Sequence, residues 1–322
     1  MTTVDRTTMP EPATPAPLAL TPLRLAALTA RGLASDRRER RRERAGRPRR
    51  RPGPGLLDPR LRAPVFVLGA PRSGTTFLGS CIGALPEVSY HFEPRVTKAA
   101  ARQVYERTWP ERRAARVFRT SYRLLMLAAG DGGRRFVEKN PENCFVVPFL
   151  VRTFPDARFV QIIRDGRDVA VSHAEKPWLA AASADSGRRG RGGQAWGPWA
   201  RWWVERERAD EFAAGSDLTR TAWSWRRFTA SARDALAELP PERVLTVRYE
   251  DVVQDPEQAA RTIGAFFGHA EPPESLRAAL ARADSGSVGR WREALSEDGL
   301  ADVESEAGPL LRELGYAQEH RA

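Results

Sequence analysis

Between Val65 and Leu78 the chain reads VFVLGAPRSGTTFL, a short apolar run, a glycine-bearing turn and then apolar residues at helical spacing. A run this short and this apolar suits a strand buried on both faces, as in a parallel sheet. A strand that passes through a tight turn into a helix aims successive backbone N–H groups and a helix N-terminus at one point. That point suits an anionic phosphate. Gly69 and Gly74 keep the spacing of the nucleotide-triphosphatase loop GxxxxGK[ST], but Thr75 stands where that loop has lysine. The loss argues against ATP or GTP hydrolysis. Arg72, Ser73, Thr75 and Thr76 still supply charge and hydroxyl donors, and Gly74 lets the backbone approach an anion closely.

The rest of the chain repeats the alternation. RRFVEK (134–139) reads as a second short strand, ARFVQIIRD (157–165) as the clearest buried strand and RVLTVRYED (243–251) as a further strand. Helices are expected after Asn140 and up to Pro155, over GRDVAVSHAEK, and over DPEQAARTIGAFFG, which has an acidic start and a terminal glycine. The predicted class is α/β: a P-loop-like three-layer fold with a central, mainly parallel sheet flanked by helices. The 322 residues are 41% hydrophobic, enough for a sizeable core, which excludes a wholly disordered chain. No apolar run approaches the roughly 18 residues of a membrane span. Two cysteines, Cys81 and Cys144, make no disulfide framework, so a reducing, cytoplasmic setting is expected. The four histidines show no metal-ligand spacing, and no metal is expected.

The net charge of +11 is concentrated: residues 37–51 hold ten Arg and two Glu, a net of +8. Residues 1–60 therefore read as a basic, disordered N-terminal tail with a short helix over 18–34, and residues 61–322 as the folded domain. Arg37–Arg51 suit an anionic membrane surface or nucleic acid, so membrane association through this arm is a second expectation. Only three basic residues are lysine (Lys98, Lys139, Lys176), a bias read as compositional. Residues 177–222 join a Gly/Arg/Ser-rich stretch to WGPWARWW, either a mobile lid over an acceptor pocket or a disordered insertion whose tryptophans pack on the helix that follows.

Two weaker segments carry anion chemistry. In FVQIIRDGRDVAVS a strand ends at Arg164 and the next helix carries Ser172, so both reach the crevice at the strand ends. Asp165 and Asp168 read as helix-start and ion-pair groups. SGSVGRWREAL (285–295) has the flexibility of a closing flap.

PRSGTT after an apolar strand, then RDGRDVAVS, YED–DPE and SVGRWR, in this order, resembles the sulfotransferase family from about Val65 to Tyr316. The sequence is similar to the bacterial and tyrosylprotein branch; the cytosolic branch usually has lysine where Arg72 stands. The resemblance implies 3′-phosphoadenosine 5′-phosphosulfate as sulfuryl donor and a hydroxyl-bearing acceptor such as a glycan, lipid or natural product. It implies that Arg72, Ser73, Gly74, Thr75 and Thr76 cradle the 5′-phosphosulfate. Arg164 and Ser172, with Lys176 assisting, would hold the 3′-phosphate, and Tyr249 would lie near the adenine. Ser285, Ser287, Val288, Gly289 and Arg290 would close over the 3′-phosphate and the transferring group. Glu93 in HFEPR matches the general base and Lys139 in VEKNPEN a transition-state cation; His91 is the competing base, since the cytosolic branch uses histidine.

Those residue types fit in-line sulfuryl transfer, with cations sharing the developing charge. Glu93 is expected to serve as base through a pKa raised by burial. Two alternatives stand beside this reading: a kinase-like P-loop enzyme acting on nucleotides, and a nucleic-acid- or membrane-binding protein working through the arm.

Overall fold

The structure, a computed structural model, describes residues 15–16, 18–43 and 61–316, with the backbone alone over 37–43. The contact expected of Arg37–Arg51 therefore falls outside the described side chains. Among the described residues no helix is long and apolar enough to cross a membrane.

Five strands form one all-parallel sheet in the order β2-β3-β1-β4-β5. They are β1 (Val65–Leu68), β2 (Val88–Phe92), β3 (Arg135–Lys139), β4 (Arg158–Ile163) and β5 (Val244–Arg248). Four of them are the apolar runs expected from sequence. The fifth, β2, pairs with β3 at the sheet edge, and VSYHF shows only a short, mixed pattern. The chain steps from β1 to one side for β2 and β3, then to the other for β4 and β5. The order thus reverses at β1/β4, and the crevice outside the strand ends there is the natural ligand position.

Helices cover both faces. The earlier ones are α1 (Pro22–Glu43), α2 (Thr75–Ile82), α3 (Arg95–Tyr105), α4 (Glu111–Ala129), α5 (Val147–Thr153) and α6 (Gly166–Ala174). They are followed by α7 (Ala209–Ala214), α8 (Asp217–Ala237), α9 (Tyr249–Gln254), α10 (Pro256–Phe267) and α11 (Glu274–Leu280). Two more, α12 (Trp291–Ala294) and α13 (Glu297–Glu313), complete the set. Alternation along β1 sends Phe66 and Leu68 to one face, where they join Tyr122 of α4, Phe149 of α5 and Trp225 of α8. Val65 and Val67 face the other way, toward Leu78 of α2, Ile263 of α10 and Leu276 of α11. Each large apolar side chain buried this way contributes roughly 1.5–3 kcal/mol.

The helix after Asn140 is shorter than its pattern suggested. Pro141–Phe145 forms a 3-10 turn, and the α-helix runs only over Val147–Thr153, ahead of Pro155. YED, read as the end of a strand, opens α9 instead. The N-terminal helix begins at Pro22 and lies against α3 and α4.

Candidate active site

The turn between β1 and α2 is wound by three residues with positive φ: Gly69 at 148°, Arg72 at 74° and Gly74 at 87°. Glycine is required at two of them on contact grounds. A Cβ on Gly69 would lie 2.6 Å from the Ile162 carbonyl, and one on Gly74 would lie 2.6 Å from the Tyr249 ring. Arg72 adopts the same left-handed region with a full side chain, a strain of order 1–3 kcal/mol of the kind found at ligand sites. Its Nε donates to Ser172 Oγ of α6 at 3.2 Å, so the loop and the second motif meet. Ser73 is fully buried, and its Oγ has no partner among the described residues. A buried hydroxyl left so loses roughly 1–3 kcal/mol unless a ligand supplies the bond.

Arg164, at the end of β4, reaches the same place. Its guanidinium donates to the Arg72 carbonyl at 3.4 Å and to the Ser287 carbonyl, and lies 4.7 Å from the centre of the Tyr249 ring. Its Nε is buried without a partner among the described residues. The Tyr249 hydroxyl lies 3.0 Å from Ser287 Oγ. Underneath, the Trp225 indole donates to the Arg164 carbonyl at 3.0 Å and fixes the strand end.

The segment 285–291 is pinned to α6 by Asp168. One carboxylate oxygen accepts the Gly289 N–H at 2.8 Å and the other the Trp291 N–H at 3.0 Å. Arg290 pairs with Glu175 at the end of α6. Ser285 and Val288 are exposed on this flap, and neither they nor Ser287, Gly289, Arg290, Arg164, Ser172, Tyr249, Ser73 and Gly74 line the cavity. Lys176 closes the end of α6 through its backbone, donating to the His173 carbonyl at 2.9 Å, and also stays outside the cavity lining.

A cavity of about 610 Å³ opens from Arg72, Thr75 and Thr76 toward Glu93 and Lys139. Lys139 ends β3 and Glu93 follows β2, in the pair of strands where Phe92 aligns with Lys139. The Glu93 N–H donates to the Lys139 carbonyl at 2.8 Å, one step past the ladder. Glu93 then takes φ 42°, a left-handed conformation for a residue with a long side chain. This turn breaks the strand alternation that would have put residues 91 and 93 on one face. Glu93 enters the cavity. His91 stays fully buried behind it, stacked on Phe136 at 4.8 Å, with Asp36 of α1 and Ser89 each 3.0 Å from a ring nitrogen. The geometry thus separates the two candidate bases and leaves His91 outside the cavity lining.

The Glu93 carboxylate meets Lys139 at 2.6 Å and Lys98 at 3.2 Å, and Lys98 meets Glu142 at 2.5 Å. The sequence-based expectation of a raised pKa is overturned here. Burial does push the carboxyl up, but the charges of Lys98 and Lys139 and their hydrogen bonds outweigh it and hold Glu93 well below the ordinary carboxylate range. Burial lowers Lys139, with Glu93 opposing, while Lys98 is raised because its two carboxylate partners outweigh its burial. Next to Lys139, Glu138 is buried and accepts from Tyr122, Asn143 and Thr97 at 2.5, 2.8 and 3.0 Å. Burial lifts its pKa to about 7.

Lys98, Glu142 and His173 line the cavity and were not singled out as site residues. The lysine bias held the signal for the first: two of the three lysines in the chain flank Glu93. His173 packs edge-on against Trp178 and is pushed down to about 3 by burial and by the charges of Arg72 and Arg201, so it is neutral. Side chains of the 177–222 segment stand both at the cavity and against α8. Arg189, Arg191 and Trp196 wall the cavity, and Trp203 lines it too while packing on Phe228 of α8.

The model of the sulfotransferase family matches residues 64–273. Protein-tyrosine sulfotransferase A of Caenorhabditis elegans is 23% identical over 284 residues, covering 78% of this chain and 67% of that protein. Protein-tyrosine sulfotransferase 2 of Gallus gallus is 28% identical over 116 residues, so the match spans only 31% of its length. Two solved structures share the fold. The sulfotransferase domain from the curacin biosynthetic pathway superposes with TM-score 0.54 at 16% identity, over 81% of this chain and 100% of that one. Sulfotransferase STF9 from Mycobacterium avium superposes with TM-score 0.52 at 14% identity, over 94% and 88%.

Proposed function

This chain belongs to the sulfotransferase family, and from that premise we propose that it transfers the sulfuryl group of 3′-phosphoadenosine 5′-phosphosulfate to an acceptor hydroxyl. One observation carries the reading. Two cationic stations, Arg72 with its loop and Arg164 with Ser172 and the flap, meet at the β1–α2 turn, and the cavity that Arg72 lines from that turn also holds an ionised carboxylate beside a lysine. A donor with phosphate groups at both ends of its ribose needs two stations; a nucleotide phosphorylated only at the 5′ position needs one.

The residues fit such a donor. The orphaned Ser73 Oγ and Arg164 Nε are buried donors that anionic oxygens would satisfy, and the Gly74–Tyr249 contact leaves no room for a side chain beside the loop. The donor supplies the sulfuryl group and leaves as adenosine 3′,5′-bisphosphate. Arg72 and Lys139 stabilise charge as it moves from the acceptor oxygen to the leaving phosphate, each by several kcal/mol if water is excluded, by analogy with oxyanion donors at roughly 3–4.

Glu93 takes the acceptor proton as the new O–S bond forms. Its low pKa in the free protein comes from Lys98 and Lys139. When Lys139 turns its ammonium toward the anionic donor, Glu93 loses part of that counter-charge and becomes the stronger base. The strain at Glu93 keeps its carboxylate in the cavity rather than against the sheet.

The test is calorimetric binding of adenosine 3′,5′-bisphosphate against ADP and ATP, without Mg²⁺. The bisphosphate should bind at least tenfold tighter than either. Preference for ATP would overturn the donor reading and restore a kinase-like one.

A further inference from the structure

Behind the wall formed by residues 189–201 lies a second cavity, of about 700 Å³. Arg95, Arg189, Gly190, Arg191, Gln194 and Arg201 line both cavities, so the two adjoin along this segment. The far side of the second one is the N-terminal helix and the strand of chain before it, through Leu20, Arg24, Leu28 and Arg31. Arg102 of α3 and the rings of Trp199 and Trp202 complete it.

Its chemistry is one-sided. Arginines line it from α1, α3 and the glycine-rich loop, some already donating to main-chain carbonyls (Arg24 to Ala19 at 3.0 Å, Arg189 to Gly193 at 3.0 Å, Arg201 to Trp178 at 2.6 Å), and no carboxylate lines it among the described residues. Arg102 does pair with Glu106 at 2.8 Å, but Glu106 is not part of the lining. Between the arginines lie leucine side chains and indole faces. The Trp202 Nε1–H is buried without an acceptor among the described residues, and so is that of Trp196 on the near side of the wall. Two buried donors beside one segment would be satisfied by an acceptor atom that the described residues do not provide.

The helix that closes this cavity is fastened to the strand that leads to the reactive carboxylate. Asp36 of α1 lies 3.0 Å from His91 Nδ1. Ser89 lies 3.0 Å from the other ring nitrogen and donates to Asp131 at 2.9 Å. His91 precedes Glu93 by two residues. The buried contact therefore fixes α1 relative to Glu93, and with it the distance between the arginines of the second cavity and the point of transfer.

We infer that the second cavity is an anion-selective extension of the acceptor site, built for an acceptor that carries its hydroxyl and an acidic group on one apolar body. This rests on the sulfuryl-transfer reading of the first cavity. The acid engages Arg24 and Arg31, the apolar body lies against the leucines and tryptophans, and the hydroxyl reaches Glu93. A charge-assisted hydrogen bond contributes about 1.5–3 kcal/mol, so each arginine should change affinity by roughly tenfold or more.

The experiment uses the full chain and two amphiphiles of equal length, dodecanoate and dodecyltrimethylammonium, each below its micelle concentration and followed by tryptophan fluorescence. Adenosine 3′,5′-bisphosphate is titrated separately. Dodecanoate should bind at least tenfold tighter than the cation. The double variant Arg24→Ala/Arg31→Ala should lose at least tenfold in dodecanoate affinity while binding the bisphosphate as before, which also shows that it is folded. Equal binding of the two amphiphiles, or unchanged dodecanoate binding by the double variant, would overturn the inference. Failure of the bisphosphate to bind, with dodecanoate selectivity intact and lost in the variant, would remove the donor reading and leave the anion site standing.

Discussion

At the ends of β1 and β4, beside the cavity that Arg72, Thr75 and Thr76 line, the anion-binding side is built largely on backbone: a glycine turn pressed against Tyr249 and the Ile162 carbonyl, a strand end held by Trp225, and a flap whose two amides bind Asp168. The Glu93 side of the cavity is side chain: Glu93, Lys139, Lys98 and Glu142 in a chain of alternating charge, walled by arginines and tryptophans from residues 189–203. Backbone walls present the same donors whatever the rest of the molecule does. A side-chain wall depends on which segments meet there. The first kind suits a donor common to a family, the second an acceptor particular to one chain.

The largest expected effect breaks the side-chain wall. Glu93→Gln removes the proton acceptor and should lower kcat by about 10²–10⁴-fold. Bisphosphate affinity, set by the other wall, should stay within a factor of two by calorimetry. The pH profile sharpens the point. Lysines hold the Glu93 pKa far below its ordinary value, so the carboxylate is ionised over the whole neutral range. The acidic limb of kcat/KM, which reports the free enzyme, should accordingly fall well below pH 5. A limb near the ordinary histidine value of about 6.5, with Glu93→Gln active and His91→Asn dead, would move the base to His91.

Next comes a cation of the backbone wall. Arg164→Ala should weaken the 3′-phosphorylated nucleotide by roughly tenfold to a hundredfold, the range of a charge-assisted hydrogen bond. The analogue without the 3′-phosphate should change far less. Equal weakening of both would take the 3′-phosphate away from Arg164. Smaller again is Gly74→Ala, where a left-handed alanine costs about 1–2 kcal/mol, or around tenfold in bisphosphate affinity, before the clash with Tyr249 is relieved. Gly190→Ala, in the opposite wall, has no neighbour closer than 3.8 Å and no positive φ, and should leave that affinity unchanged. If both glycine variants behave alike, the distinction between the walls fails.

The same distinction explains what could be read from the chain. The β1–α2 turn was legible because its requirement is local: Gly69 and Gly74 at fixed spacing between an apolar run and a helix. Strand β4 was legible because burial leaves RFVQII almost wholly apolar, and β3 and β5 because each holds a short apolar or β-branched stretch, although β5, at the other edge, is only partly buried. Strand β2 was not, since VSYHF at the edge spends two of five positions on Ser89 and His91, which serve a polar network with Asp36 and Asp131. Lys98 was marked only by the scarcity of lysine, and its pairing with Glu93 was not legible, because α3 carries it there from five residues downstream across the turn at the left-handed Glu93. Asp168 was read as an ion-pair group. Arg164 does stand 3.9 Å away, but the carboxylate's closer partners are amides some 120 residues along the chain, a pairing no local pattern announces.

Asp168 also gives the finest test of the comparison. Each of its oxygens accepts one flap amide, so Asp168→Asn keeps one bond and sets an NH2 group against the other N–H. Leaving one buried amide unpaired costs about 1 kcal/mol or somewhat more, and the flap keeps its other ties through Ser287 to Tyr249 and Arg164. The expected result is a roughly fivefold loss of bisphosphate affinity with little change in thermal stability, because the flap lies over the sheet ends rather than in the core. Glu175→Gln provides the contrast. It breaks the pair with Arg290, whose two side chains are about half exposed, and exposed pairs contribute roughly 0–1 kcal/mol. Bisphosphate affinity should then be nearly that of the unaltered protein. A backbone wall predicts this order, amide anchor above surface ion pair. The reverse order, with Glu175→Gln the more damaging, would mean that the flap is held by its side chains after all.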